Sequence, residues 1–122
     1  MNIRIKTSDY EITPEVSVYL DERLGALEKF ISVDTGLARC EVELGRDAGR
    51  PRHGANIWFC EIHIIQPGMD RAYARNNASS VNAAIDDVKE EVERQLRREK
   101  KLHMRVLRKT GGAIKKWMRF GN

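Results

Sequence analysis

His53, His63 and His103 are the side chains best suited to proton transfer or metal ligation, and their positions support neither. The first sits in a Gly- and Arg-rich loop, the second on a strand and the third at a helix end, with no spacing that would bring two of them to one ion. Cys40 and Cys60 stand twenty residues apart without a Cys-x-x-Cys motif, and they read as small core residues of a reducing cytoplasm. No Ser or Cys occupies a nucleophile elbow, and no Gly-rich turn follows a strand in phosphate-loop register. The carboxylate pairs Asp86-Asp87 and Glu90-Glu91 fall on a solvated helical face. The sequence therefore argues against an enzyme, and it implies no cofactor, no metal and no small-molecule substrate.

The chemistry that the sequence does favour is neutralisation of phosphate. Between Arg94 and Asn122 eleven residues are Lys or Arg and only Glu99 is acidic. The net charge of +4 conceals this asymmetry: residues 1–60 hold eight Lys/Arg against ten Asp/Glu, whereas residues 61–122 hold fourteen against eight. Cations gathered in one arm suit a polyanion, because each neutralised phosphate releases a counterion. Trp58 and Phe59 raise the possibility of base stacking on a strand. Adjacent strand residues face opposite ways, so Phe59 alone is a candidate for the solvent side, and packing under a helix or a long side chain is its expected fate. Binding by charge and shape is the expectation.

A helix from Ser79 to about His103 must carry these cations. Val81, Ile85, Val88, Val92 and Leu96 form its apolar stripe, and Ser79 or Ser80 is suited to cap it. Past Leu96 the stripe gives way to Arg97, Arg98, Glu99, Lys100 and Lys101, so the first half packs on a core and the second projects. Upstream, residues 2–8 alternate as a half-buried strand. Thr13-Pro14-Glu15 then opens a helix with apolar positions Val16, Leu20, Leu24, Leu27 and Ile31. Strands follow at Leu37–Leu44, at Ile57–Ile65 with Trp58, Cys60, Ile62 and Ile64 inward, and at Met69–Arg75. The predicted class is α+β in the order β-α-β-β-β-α, with an antiparallel-rich four-stranded sheet and both helices on one face. At 122 residues this is one domain, read as residues 1–104 with a basic tail at 105–122. In that tail Gly111-Gly112 precedes an amphipathic segment carrying Lys115, Lys116, Trp117 and Arg119, which is either a frayed end or a second anchor. The opening residues lack the apolar core of a secretory signal, and no window is apolar enough to span a membrane, so a cytoplasmic protein is expected.

Particular residues resemble a known family. Glu11-Ile12-Thr13-Pro14, Asp21-Glu22-Arg23-Leu24 and Leu27-Glu28-Lys29-Phe30 are similar to the opening of the bacterial ribosome hibernation-promoting factors and ribosome-associated inhibitors. Ala83-Ala84-Ile85-Asp86 and Glu93-Arg94-Gln95-Leu96 resemble that family's second helix, and together the likeness covers residues 1–102. It implies a fold like a double-stranded-RNA-binding domain and a seat on the small ribosomal subunit, in the cleft between head and body. There the protein would block messenger and tRNA and inhibit translation in stress or stationary phase. Matching positions imply ribosomal-RNA contacts for Arg23, Lys29, Arg94, Arg98 and Lys100. The chain departs from the family at Ala26 and Glu91, where members carry Lys, and at Ser80-Val81-Asn82. Arg97, Lys101 and Arg105 extend the expected contact set, with Arg108 and Lys109 as further charge. By its length the chain resembles the family's short form, so no dimerisation domain is expected. The rival readings are a generic duplex-RNA-binding module and a protein-binding modulator that uses the open sheet face or the Trp117 segment.

Overall fold

The computed structural model describes residues 1–47 and 56–120, with side chains described as far as Lys109. Strands β1 (Asn2–Ser8), β2 (Arg39–Arg46), β3 (Trp58–Ile65) and β4 (Ala72–Ala78) lie in the order β1-β2-β3-β4, with helices α1 (Pro14–Glu28) and α2 (Val81–Phe120). The α+β class and element order are those expected. Strands β2, β3 and β4 form an antiparallel meander, while β1 runs parallel to β2 because the chain crosses back through α1. His53 and the arginines at 50 and 52, assigned to a loop by sequence, lie outside the described residues.

Local chemistry accounts for the helix starts. Thr13 Oγ1 accepts from Val16 N at 3.2 Å, with Pro14 in the first turn where its missing N–H costs nothing. Of the two serines before α2, Ser80 caps it, its Oγ accepting from Ala83 N at 3.1 Å. The apolar stripes then meet the sheet. Val16, Leu20, Leu24, Leu27 and Ile31 are buried with Ala84, Ile85, Val88, Val92 and Leu96 over Cys40, Val42, Leu44, Cys60, Ile62, Ile64, Ala72 and Ala74.

β1 departs from its expected half-buried character. Ile3 and Ile5 lie beside Cys40 and Val42 on the helix-facing side, yet both remain substantially exposed, because β1 is an edge strand that the two helices leave uncovered. Trp58 has the inward parity expected, but at the start of β3 it is only half-buried. Its ring meets Tyr10 edge-on at 5.4 Å. The opposite edge of the sheet is closed by a side chain: Gln95 of α2 accepts from Tyr73 N and donates to Tyr73 O, both at 2.8 Å, as a neighbouring strand would.

The second helix runs further than its apolar stripe, from Val81 unbroken through Gly111 and Gly112 to Phe120. The expected end near His103 is thus displaced. Two glycines cost about 2 kcal/mol relative to alanine, yet the helix continues through them. Residues 97–120 make an arm of roughly 36 Å at 1.5 Å per residue. The side chains of Lys115, Lys116, Trp117 and Arg119 lie outside the described set.

Leu96 is 1% exposed and Leu102 is 47% exposed, which marks where the body stops. Leu96→Ala should lower unfolding free energy by about 2–5 kcal/mol in a denaturant titration. Leu102→Ala should change it by less than about 1 kcal/mol. Equal costs at the two sites would show that the arm is buried beyond Leu96.

Candidate functional site

Where α1 ends, α2 passes it on one side, and the two enclose a groove of about 620 Å³. Lys29 and Phe30 contribute from the end of α1, and Arg97, Lys100, Lys101, Met104, Arg105 and Arg108 from α2. The α2 residues recur at spacings of three and one, so at about 100° per residue they share a face next to the buried stripe. Among the described residues, six cations line the groove and no carboxylate does.

Each wall is held in place. Gln66, buried at the end of β3, accepts from Ser32 N at 2.8 Å and fixes the segment just after Phe30. Lys100 Nζ donates to the carbonyl of Lys29 at 3.1 Å. Lys29 is the C-cap of α1, whose last turn contains no basic residue, so α2 supplies the cation that this helix end favours. Arg97 sits 3.1 Å from Glu93, which also accepts from Lys89 at 2.8 Å. The Lys89 hydrogen bond holds the Glu93 carboxyl below its ordinary range, and the charges of Lys89, Arg97 and Lys29 add to this. Glu93 therefore restrains Arg97 throughout neutral pH, and that contribution is lost only as pH falls through the depressed pKa.

Five of the eight sequence-expected contact residues converge here: Lys29, Arg97, Lys100, Lys101 and Arg105. The other three are placed elsewhere. Arg23 bridges the helices, its Nε 3.1 Å from Asp86 of α2 and its guanidinium 4.0 Å over the Tyr19 ring, while the Tyr19 hydroxyl also donates to Asp86. The bond to Asp86 raises the Arg23 pKa. Arg94 pairs with Glu91 at 2.6 Å on the outer surface of α2, at a position where 65% of the side chain is exposed. Arg98 lies on the β4 side beside Asp70, Arg71, Gln95 and Glu99. There desolvation and the neighbouring Asp70 raise the Glu99 pKa. Sequence spacing showed the basic run without the position of α1, and it was α1 that divided the run. The same cause hid Phe30 as a groove residue, since nothing in its local pattern separates it from a core aromatic.

The open sheet face is of another kind. Arg4, Lys6, Glu41, Glu43, Glu61 and His63 mix both signs across it. Phe59 does face this side, and it is buried beneath the Arg75 guanidinium 4.1 Å above its ring. Arg75 is itself held by Glu61 at 3.1 Å and Asp47 at 3.4 Å. Gly45 opposite completes the cover, since a Cβ there would stand 3.0 Å from Phe59 and 2.1 Å from the Ser8 carbonyl. Stacking of a base on Phe59 is blocked. His63 pairs with Glu61 at 3.0 Å and lies against Tyr73. Among the described residues no group of three or more His, Cys, Asp or Glu side chains could hold a metal, and no helix is long and apolar enough to cross a membrane.

The fold and groove define a small α+β domain with a cationic channel beside its long helix. The chain belongs to the family described as sigma 54 modulation protein / S30EA ribosomal protein, whose model matches residues 3–103. Among solved structures, the N-terminal domain of Protein Y from Thermus thermophilus is similar, with a TM-score of 0.65 and 22% identity. The match covers 80% of this chain and 98% of that one. A ribosomal subunit interface protein from Coxiella burnetii is also similar, with a TM-score of 0.61 and 13% identity, covering 80% of this chain and 96% of that one. A comparison with curated proteins finds no relative.

Burial pushes the thiols of Cys40 and Cys60 up to about 12, so at neutral pH both are protonated and sheltered. Labelling by a disulfide reagent at neutral pH should proceed only at the rate of unfolding and should accelerate in denaturant. Rapid labelling of the native protein would contradict this burial.

Proposed function

We propose that the protein is a ribosome hibernation factor that seats its groove and long helix on ribosomal RNA of the small subunit, in the decoding cleft. The observation that carries this reading is the convergence of Lys29, Arg97, Lys100, Lys101, Arg105 and Arg108 on one groove without a carboxylate in its lining. Cations fixed at such spacing raise the local electrostatic potential and match a phosphate backbone more closely than a flexible tail could. Family membership supports the same reading, as does the description of the Coxiella burnetii protein as a ribosomal subunit interface protein. Lys29, Arg97, Lys100, Lys101 and Arg105 form the primary contact set. Arg94 and Arg98, on other faces of the same helix, add contacts where RNA wraps it. Arg23 acts chiefly by fixing α1 against α2.

The mechanism is occlusion and needs no bond chemistry. A rigid domain held in the cleft by phosphate contacts occupies the path of messenger and tRNA, so initiation cannot proceed while it is bound. The protein then works in the cytoplasm, on idle ribosomes during stress or stationary phase. Arg105 and Arg108 carry the basic face of α2 beyond Lys101 and extend the reach of the anchor.

Wild-type protein should co-sediment with isolated small subunits, with an affinity that falls steeply as salt rises. Changing Lys101, Arg105 and Arg108 together to Glu should abolish co-sedimentation and inhibition of translation in a purified system. Its melting temperature should stay near that of the wild type, because all three side chains lie beyond Leu96. Unchanged ribosome occupancy of this variant would remove the groove as the anchor. A wild-type affinity for short RNA duplexes equal to that for small subunits would favour a generic duplex binder instead.

A further inference from the structure

The groove contains more than phosphate binding requires. Phe30 is half-buried in its wall, with Lys29 Nζ 5.3 Å and Arg97 Cζ 5.1 Å from its ring centroid. Met104 shares the lining and is 45% exposed although it sits among cations. A surface that only tracks a backbone needs Lys and Arg and no apolar floor. An aromatic ring, a soft thioether and a guanidinium in one groove are instead the groups on which an unstacked base rests.

We propose that this groove is a nucleotide seat, in which one unstacked base lies on Phe30 and Met104 while Lys100, Lys101 and Arg105 hold its phosphates. The inference rests on the groove meeting RNA, the function proposed for it, and adds what it selects: an unpaired nucleotide over a continuous duplex. A free nucleotide and an unpaired residue of an RNA chain offer the same chemistry. The cations of Lys29 and Arg97, which lie over the Phe30 ring at 5.3 and 5.1 Å against 4.1 Å for Arg75 over Phe59, swing aside to meet the phosphates, and the ring then distinguishes a phosphate that carries a base from one that does not.

Calorimetric titration of the full chain, at fixed salt and without divalent ions, tests this with two pairs of ligands. The first pair is ATP and inorganic tripolyphosphate; the second is a short single-stranded RNA and the same strand with one abasic position. The base-bearing member should bind more tightly by about fivefold or more, the worth of one base–aromatic stack. Phe30→Leu should erase that preference while leaving tripolyphosphate affinity unchanged. Met104→Ser, at an exposed helical position, should reduce the preference without any load on the core. A preference in the first pair alone identifies a free nucleotide as the occupant, one in the second alone an RNA residue, and one in both a seat open to either. Equal affinities within both pairs, or a preference that survives both substitutions, would overturn the proposal. Co-sedimentation of the wild type with small subunits separates the two claims. Ribosome binding without base preference sinks the seat alone, and base preference without ribosome binding sinks only the proposed function.

Discussion

Everything that this domain presents to a partner depends on the rotation of α2 about its own axis, and that rotation is set by burial. Ala84, Ile85, Val88, Val92 and Leu96 are nearly inaccessible to solvent. Burial of each of Ile85, Val88, Val92 and Leu96 contributes about 1.5–3 kcal/mol relative to exposure. A turn of the helix by one residue would move the whole stripe through about 100° and expose it. Polar contacts to two elements fix the same setting: Gln95 on the Tyr73 backbone and Asp87 on Asn76 of β4, and Asp86 on Arg23 and Tyr19 of α1. Because the helix continues without a break past Leu96, the orientation chosen by the core is passed on to residues that touch no core at all. Arg97, Lys100, Lys101, Arg105 and Arg108 face the groove for that reason.

The groove brings like charges together, which costs electrostatic free energy at low salt. Two features offset the cost. The carbonyl end of α1 faces Lys100, and Glu93 lies behind Arg97 and Lys89 rather than within the groove. The result is a set of cations compensated from behind and open in front. That arrangement favours an anion arriving from solvent over one supplied by the protein, and it concentrates positive potential in one groove of a chain whose net charge is only +4.

Much of the fold was legible because its signals are local. Period-four stripes, a Thr-Pro helix start and alternating strands gave the α+β class and the element order. The inward parity of Cys60, Ile62 and Ile64 and the outward side of Phe59 followed from the same alternation, whereas the Arg75 cover over Phe59 comes from β4 and was not legible. What failed to show was long-range. The alternation of Ile3 and Ile5 suggested a covered face, yet whether a strand is covered depends on where helices far away in sequence lie. The parallel pairing of β1 with β2 depends on the crossover through α1. The end of α2 was placed too early because the loss of an apolar stripe signals the end of packing and not the end of a helix. The site divided in the same way: the basic run was visible as composition, whereas its separation into groove residues and outward residues such as Arg94 and Arg98 required the position of α1.

The central claim is that the groove side of α2, and not the open sheet, lies against ribosomal RNA. Directed hydroxyl-radical cleavage tests it most directly, because the native thiols are buried and a tethered iron chelate will attach only at an introduced cysteine. One variant carries it at Leu102→Cys, exposed on α2 beside the groove residues, and a second at Glu41→Cys on the sheet face. On small subunits the first should cut a compact set of small-subunit RNA positions lining the cleft, and the second should cut weakly or not at all. Strong cleavage from position 41 with none from position 102 would mean that the sheet is the binding face, and would contradict the groove as the anchor.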